Sequence, residues 1–126
     1  MKQLLFLFLL CFGTALQAQS YKDYVSEGDN YYSKGEFQKS VKAYEKAFEI
    51  KEGSALVYYN AACSAALSGK IESGLMHLRS AAEKGWKNIK HTKRDSDLNA
   101  LHEEDEWNDI LKIIQSNEEE YEKNFN

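Results

Sequence analysis

The fold follows from two stretches of the chain: YVSEGDNYYSKGEFQKSVKAYEKA at residues 24–47 and YYNAACSAALSGKIESGLMHLRSA at residues 58–81. When one is shifted by 34 residues onto the other, their small and apolar positions coincide, and Gly35 falls on Gly69. A repeat of this length is typical of stacked helical hairpins, in which each unit buries an apolar face against its neighbour. The two stretches therefore predict two hairpins in tandem.

Helix start and stop signals agree with this register. Ser20 and Ser54 stand where a side-chain oxygen can cap a helix, and Gly35 and Gly69 allow the positive φ that ends one. Between these signals, apolar side chains recur at three- and four-residue spacing. In the second helix these are Phe37, Val41, Tyr44, Ala47 and Phe48. The pattern predicts an all-α fold with hairpins over residues 20–52 and 54–85.

Small residues predict how each hairpin packs. Gly28 and Ala62 occupy equivalent places in the first helix of each hairpin, where a large side chain would hold the two helices apart. Tyr44 and Leu78 are expected to fill the adjoining space from the second helix. The alternative is an ordinary four-helix bundle, but that would not require matching turns and matching contacts in one register.

These residues carry a resemblance to the tetratricopeptide repeat family. The first unit matches the family's signature at Tyr24, Gly28, Tyr31, Gly35, Phe37, Tyr44 and Ala47, and the second at Ala62, Gly69, Leu78 and Ala81. The first unit departs from the signature at Glu27, Ser40 and Glu52. The resemblance implies a short α-solenoid.

The chain beyond the hairpins is expected to close the open end of the array. Residues 59–63, 66–69, 78–86 and 95–98 are also similar to a terminal element of bacterial tetratricopeptide proteins. Short helical arrays need such a closing element. We interpret residues 86–126 as a connector followed by a C-terminal capping helix with an apolar stripe: Trp107, Ile110, Leu111 and Ile114.

The amino terminus is typical of an export signal. Lys2 is followed by the apolar run 4–12 and then by the small residues Gly13, Ala15 and Ala18. The run is too short to span a bilayer, which takes about 20 residues. Residues 1–18 are therefore predicted to be a signal peptide, giving a periplasmic or secreted protein whose mature chain does not insert into a membrane.

Neither the composition nor any motif of the sequence indicates a catalytic or metal-binding site. The formal net charge of −4 argues against a nucleic-acid partner. The three histidines show no ligand spacing with each other or with a cysteine, so neither a metal site nor a cofactor is predicted. Cys63 lies among small residues and is expected to be a buried apolar side chain. Without a set of residues that could share catalytic roles, the chain is interpreted as a non-enzyme.

The resemblance implies binding on a concave face lined by the first helix of each hairpin. The lining residues it implies are Lys22, Val25, Asp29, Tyr32, Tyr59 and Asn60. Only Asn60 of these matches the family's grip on a terminal carboxylate, so we expect a peptide or protein held by aromatic contact. The leading hypothesis is an adaptor or accessory subunit in the bacterial envelope with an unknown protein partner. Self-assembly is the alternative, and a small hydrolase or ligand carrier is more remote.

Overall fold

A computed structural model describes residues 19–126, and over this range every regular element is a helix. The predicted all-α fold is confirmed. The elements are α1 (Tyr21–Ser33), α2 (Phe37–Ile50), α3 (Ala55–Leu67), α4 (Ile71–Glu83), α5 (Ile89–Arg94), a 3-10 helix (Ser96–Leu101) and α6 (Asp105–Phe125).

Local chemistry sets the helix ends. The Ser20 side chain accepts a hydrogen bond from the Asp23 amide, and the Asp23 carboxylate accepts one from the Ser20 amide, which makes a capping box. Ser54 caps α3 by accepting from the Val57 amide. Gly35 and Gly69 have φ of 74° and 78°, so each reverses the chain in a conformation that a side chain would oppose.

The helices pack in two pairs. α1 lies along α2, α3 lies along α4, and α2 also contacts α3. In the first pair the ring of Tyr44 occupies the space beside Gly28, where a Cβ atom would come within 2.6 Å of Tyr44 Cε1. The Ser40 hydroxyl donates to the Gly28 carbonyl at 2.7 Å and lies 2.8 Å from the Ser64 hydroxyl on α3. A buried polar contact therefore joins the two pairs.

The main core is formed by the second pair and the C-terminal segment. α6 packs on α4, and the 3-10 helix packs on α3. The largest fully buried apolar side chains of this core are Leu78, Leu98, Leu101, Ile110 and Ile114. This arrangement places the chain around residue 95 directly against α3.

The segment interpreted as a connector contains a helix that the sequence pattern did not predict. α5 is short, and it forms because the Asn88 side chain caps it by accepting from the His91 amide. The Thr92 hydroxyl accepts a hydrogen bond from the Trp86 indole at 2.9 Å and donates to the Asn88 carbonyl. These contacts orient α5 so that His91 faces α3 and the chain that follows it.

The predicted signal peptide at residues 1–18 lies outside the described residues. From residue 19 to residue 126, none of the helices combines the length and the apolar character needed to cross a bilayer.

Candidate functional site

A cleft of about 390 Å³ opens between the two helix pairs and the C-terminal segment. Ligand clefts in proteins typically measure roughly 300–1,000 Å³, so this one can hold a side chain or a small molecule. Its walls come from α1, α2, α3, α5, the 3-10 helix and the residue that joins the last two, Asp95. The lining residues are Asp29, Tyr32, Tyr44, Tyr59, Asn60, Cys63, His91, Asp95 and Asp97.

Three tyrosine hydroxyls in this cleft each donate a hydrogen bond to a carboxylate. Tyr44 on α2 donates to Asp29 on α1. Tyr32 on α1 donates to Asp97 across the cleft. The third hydroxyl belongs to Tyr59 on α3, and it donates to Asp95 Oδ2 at 2.7 Å. The pairs tie separate elements together and hold the carboxylates in place.

These contacts keep the tyrosines protonated. For Tyr32, the hydrogen bond to Asp97 is the main cause that raises the pKa of the phenol above its ordinary value. For Tyr44 and Tyr59, burial is the main cause of the raised pKa, and the hydrogen bonds to their carboxylate partners add to it. An ionised phenol beside a carboxylate would be repelled, so each hydroxyl serves as a donor over the ordinary pH range.

Cys63 lies at the base of the cleft with its thiol 3.7 Å from Asp95 Oδ2. Burial, then the charges of Asp95 and Asp97, raise the pKa of the thiol well above its ordinary value. A reactive cysteine needs the opposite environment, one that stabilises the thiolate. The buried position confirms the expectation for Cys63, and its contact with Asp95 makes it a weak donor as well as an apolar side chain.

One wall of the cleft is aromatic. Trp86 stacks on Tyr59 with ring centres 4.2 Å apart and planes 20° apart. His91 lies 5.7 Å from the Tyr59 ring, and its Nε2 is 3.4 Å from Asp95 Oδ2. Because Trp86 is itself fixed by its hydrogen bond to Thr92, the Tyr59 ring has little freedom to move.

The cleft brings together a set of metal-ligating atoms that no sequence motif indicated. Cys63, Asp95 and Asp97 each offer one ligand atom, and these atoms lie within 4.8 Å of one another. A tetrahedral zinc site places its ligand atoms about 3.3–3.8 Å apart, as follows from bonds of about 2.0–2.3 Å. Cys63 Sγ and Asp95 Oδ2 are 3.7 Å apart and already meet this spacing.

The structure collects some of the residues implied for the concave face and separates others. Asp29, Tyr32, Tyr59 and Asn60 line the cleft. Lys22 is exposed and Val25 is half-buried on α1, and neither of them lines it.

Tyr59 was expected to contact a partner through its ring, but only 3% of it is exposed, so it acts as a wall of the cleft. Other lining residues were not predicted as binding residues: Tyr44, His91, Asp95 and Asp97. Three of these come from the segment interpreted as a connector, and the aspartate spacing in Asp95-Ser96-Asp97 was the one available signal.

Comparison with known proteins identifies the family. A family model described as "A/B hydrolase-like, N-terminal domain" matches residues 20–122, and this chain belongs to that family. The assignment to the tetratricopeptide repeat family, and the repeat terms that went with it, were wrong. The turn glycines and the Gly28–Tyr44 contact explain the misassignment, because any tight helical hairpin needs a turn residue and a small contact residue.

One curated relative is a chloroplast protein of Arabidopsis thaliana, which is 26% identical over 99 residues. The match covers 76% of this chain and 29% of that protein, so the chain spans less than a third of its relative's length. No solved structure is significantly similar to the chain.

Proposed function

We propose that this member of the A/B hydrolase-like N-terminal domain family is a binding module that receives a segment of a partner protein in its cleft. The observation that carries the proposal is the set of three tyrosine–carboxylate pairs that line an open cleft. Groups already held in place lose little entropy on binding, which favours recognition.

The chemistry of the lining supports binding rather than catalysis. The raised pKa values of the Tyr59 phenol and the Cys63 thiol leave both groups protonated, and neither is then a nucleophile. A partner would meet hydrogen-bonding groups and aromatic rings instead. The proposal is therefore that the chain is not an enzyme by itself.

The family's name supports an accessory role. It describes an N-terminal domain of A/B hydrolase-like proteins. We therefore propose a hydrolase-like domain as one candidate partner, which the cleft would contact through a protruding segment. Titration of such a domain into the isotopically labelled chain would test this, because contact at the cleft should shift the amide signals of Tyr32 and Asn60.

Self-assembly is the second candidate, and exposed apolar side chains favour it. Leu56, Met76 and Phe125 are 56%, 57% and 72% exposed. Sedimentation over a range of concentrations separates the two candidates. A protein that stays monomeric at high concentration contradicts self-assembly, whereas concentration-dependent growth supports it.

Export of the protein remains a proposal based on residues 1–18. The test is mass spectrometry of the protein expressed with its native amino terminus in a bacterial host. A periplasmic product that begins near Gln19 supports it, and an uncleaved product in the cell interior contradicts it.

The proposed binding role is tested by selecting ligands from a random peptide display library on the purified protein. Peptides that use the cleft should lose most of their affinity for Tyr32→Ala, because Tyr32 is 39% exposed at its rim. The matched control is Tyr121→Ala on α6, since Tyr121 is 44% exposed and lies outside the cleft. Equal loss with both variants, or with neither, contradicts the proposal.

A further inference from the structure

The cleft is acidic and poorly neutralised. Three carboxylates line it, those of Asp29, Asp95 and Asp97. Over residues 19–126, the only basic nitrogen within 4.0 Å of any of the three is Nε2 of His91, beside Asp95. Charges of one sign gathered in a partly buried cleft attract an ion of the opposite sign.

Two carboxylate oxygens remain open, one on each side of the cleft. Asp29 uses Oδ1 to accept from Tyr44, and Asp97 uses Oδ2 to accept from Tyr32. Within the described range, the second oxygen of each group accepts no hydrogen bond from the protein. Asp95 differs, because its Oδ1 accepts from the Asp97 amide and its Oδ2 accepts from Tyr59.

One aromatic ring beside these oxygens is open to a cation, because Tyr32 is 39% exposed. Tyr32, Tyr44 and Tyr59 all line the same space as the carboxylates. The electron-rich face of an aromatic ring attracts a cation, and the attraction grows as water is excluded. Acidic and aromatic groups in one cleft thus favour a positively charged, partly apolar side chain.

We propose that the cleft binds the guanidinium group of an arginine on the partner segment, with Asp29 and Asp97 as its two anchors. This inference rests on the proposed binding function. A guanidinium group is planar and has five N–H donors, so it can reach two carboxylates at once and also lie against a ring. An ammonium group has three donors around a single nitrogen, so it fits two separated acceptors less well.

The test uses blocked pentapeptides with a central arginine, lysine or citrulline between alanines, titrated into the labelled protein and followed by amide NMR. Citrulline keeps the shape of arginine but carries no charge. The arginine peptide should shift the signals of residues around the cleft and bind about tenfold more tightly than the citrulline peptide, as expected for charge-assisted hydrogen bonds. Its affinity should fall as salt is added.

The variants Asp29→Asn and Asp97→Asn remove charge but keep an oxygen that can accept from Tyr44 or Tyr32. Each should weaken the arginine peptide about tenfold. The control is Asp109→Asn, an exposed aspartate on α6 that lies outside the cleft. Circular dichroism melts of the three variants establish that they are folded, so that a loss of affinity reports on the cleft.

The outcomes separate this inference from the binding function beneath it. If arginine and citrulline peptides bind equally at the cleft, the inference is wrong and the binding function stands. If display-selected peptides also fail to shift the amide signals of the cleft residues, the inference and the binding function are both wrong. A zinc chloride titration addresses Cys63, Asp95 and Asp97: shifts with zinc and none with the arginine peptide would overturn the proposal in favour of a metal site.

Discussion

The first helices of the two pairs have equivalent positions but very different surroundings. α1 buries only Gly28, whereas α3 buries Tyr59 and all six residues from Ala61 to Ala66. α3 lies between α2, α4 and the 3-10 helix, and α1 packs chiefly against α2. The C-terminal segment therefore completes the second pair and leaves α1 exposed, so that α1 can form one side of an open cleft.

The largest loss of stability should come from removing most of α6, which packs on the second pair. Deleting residues 107–126 takes away three buried side chains, Trp107, Ile110 and Ile114. Losses of this kind cost about 3–5 kcal/mol for a tryptophan and 2–5 kcal/mol for an isoleucine, which together approach the whole stability of a small domain. The truncated chain should lose its cooperative thermal transition by circular dichroism.

A shorter truncation provides the control for this deletion. Removing residues 118–126 takes away Tyr121 and Phe125, which are 44% and 72% exposed, and should leave the melting temperature nearly unchanged. If the longer deletion melts like the intact chain, α6 does not complete the second pair and the contrast with α1 fails.

The next largest loss of stability should come from a cavity made in the second pair by truncating one buried side chain. Leu78 is fully buried, and Leu78→Ala should lower the free energy of unfolding by about 2–5 kcal/mol. Met76 on the same helix is 57% exposed, so Met76→Ala should change it by less than about 0.5 kcal/mol. Urea unfolding measures both, and similar values for the two would show that α4 is not packed as described.

A smaller loss of stability is expected at the close contact between Gly28 and Tyr44 in the first pair. Gly28→Ala would place a Cβ 2.6 Å from Cε1 of Tyr44, whose ring is 1% exposed and cannot move freely. Overpacking of this kind costs about 1–3 kcal/mol, more than the gain of up to about 1 kcal/mol in helix propensity. Urea unfolding of the variant measures the net change.

The double variant Gly28→Ala, Tyr44→Leu tests the cause of this loss. Its destabilisation should be smaller than the sum of the two single effects, because the smaller side chain removes the clash. A Gly28→Ala protein more stable than the original would contradict the close contact in the first pair.

The smallest effect on stability concerns His77, which lies at the contact between α2 and the second pair. His77 on α4 lies 5.4 Å from the Phe48 ring and 6.4 Å from the Tyr58 ring, measured between ring centres. Burial lowers its pKa below 6.5, although the nearby Glu45 carboxylate opposes the shift. Since the unfolded imidazole binds a proton more readily, this contribution to stability is complete above about pH 6.5 and decreases as the pH falls towards the folded-state pKa.

Comparing urea unfolding at pH 7.5 and pH 5.5 measures this contribution. His77→Gln should lose less stability than the original protein between the two pH values. An equal loss in both would mean that His77 does not contribute to the acid sensitivity.

The sequence predicted the local structure because that structure depends on neighbours in the chain. Ser20, Ser54, Gly35 and Gly69 act within one turn of themselves, so their roles follow from residue type and position. The contact of Gly28 with Tyr44 could also be predicted, because a glycine on the inner face of α1 leaves room for a large side chain of α2. α5 was missed because Asn88 and Thr92 act in a short segment rich in lysine that lacks an apolar stripe.

The candidate site could be predicted only in part. Asp29, Tyr32 and Asn60 lie on first helices whose exposed faces follow from helical spacing. Asp95 and Asp97 reach them from far along the chain, and the sequence contains no periodic signal that pairs Tyr32 with Asp97. The hairpin pattern could not predict the family either, because tight turns and small contact residues are general requirements of helix packing.

Capping, turn and periodicity signals are local, and from them the sequence alone specified two helical hairpins over residues 20–52 and 54–85, each with a tight turn, and a C-terminal helix. Tertiary packing was needed to establish that the C-terminal segment folds back on α3, buries Tyr59 and brings three aspartates beside three tyrosines. The physical reason is that such contacts join residues distant in sequence, and the burial of the surrounding apolar side chains selects them.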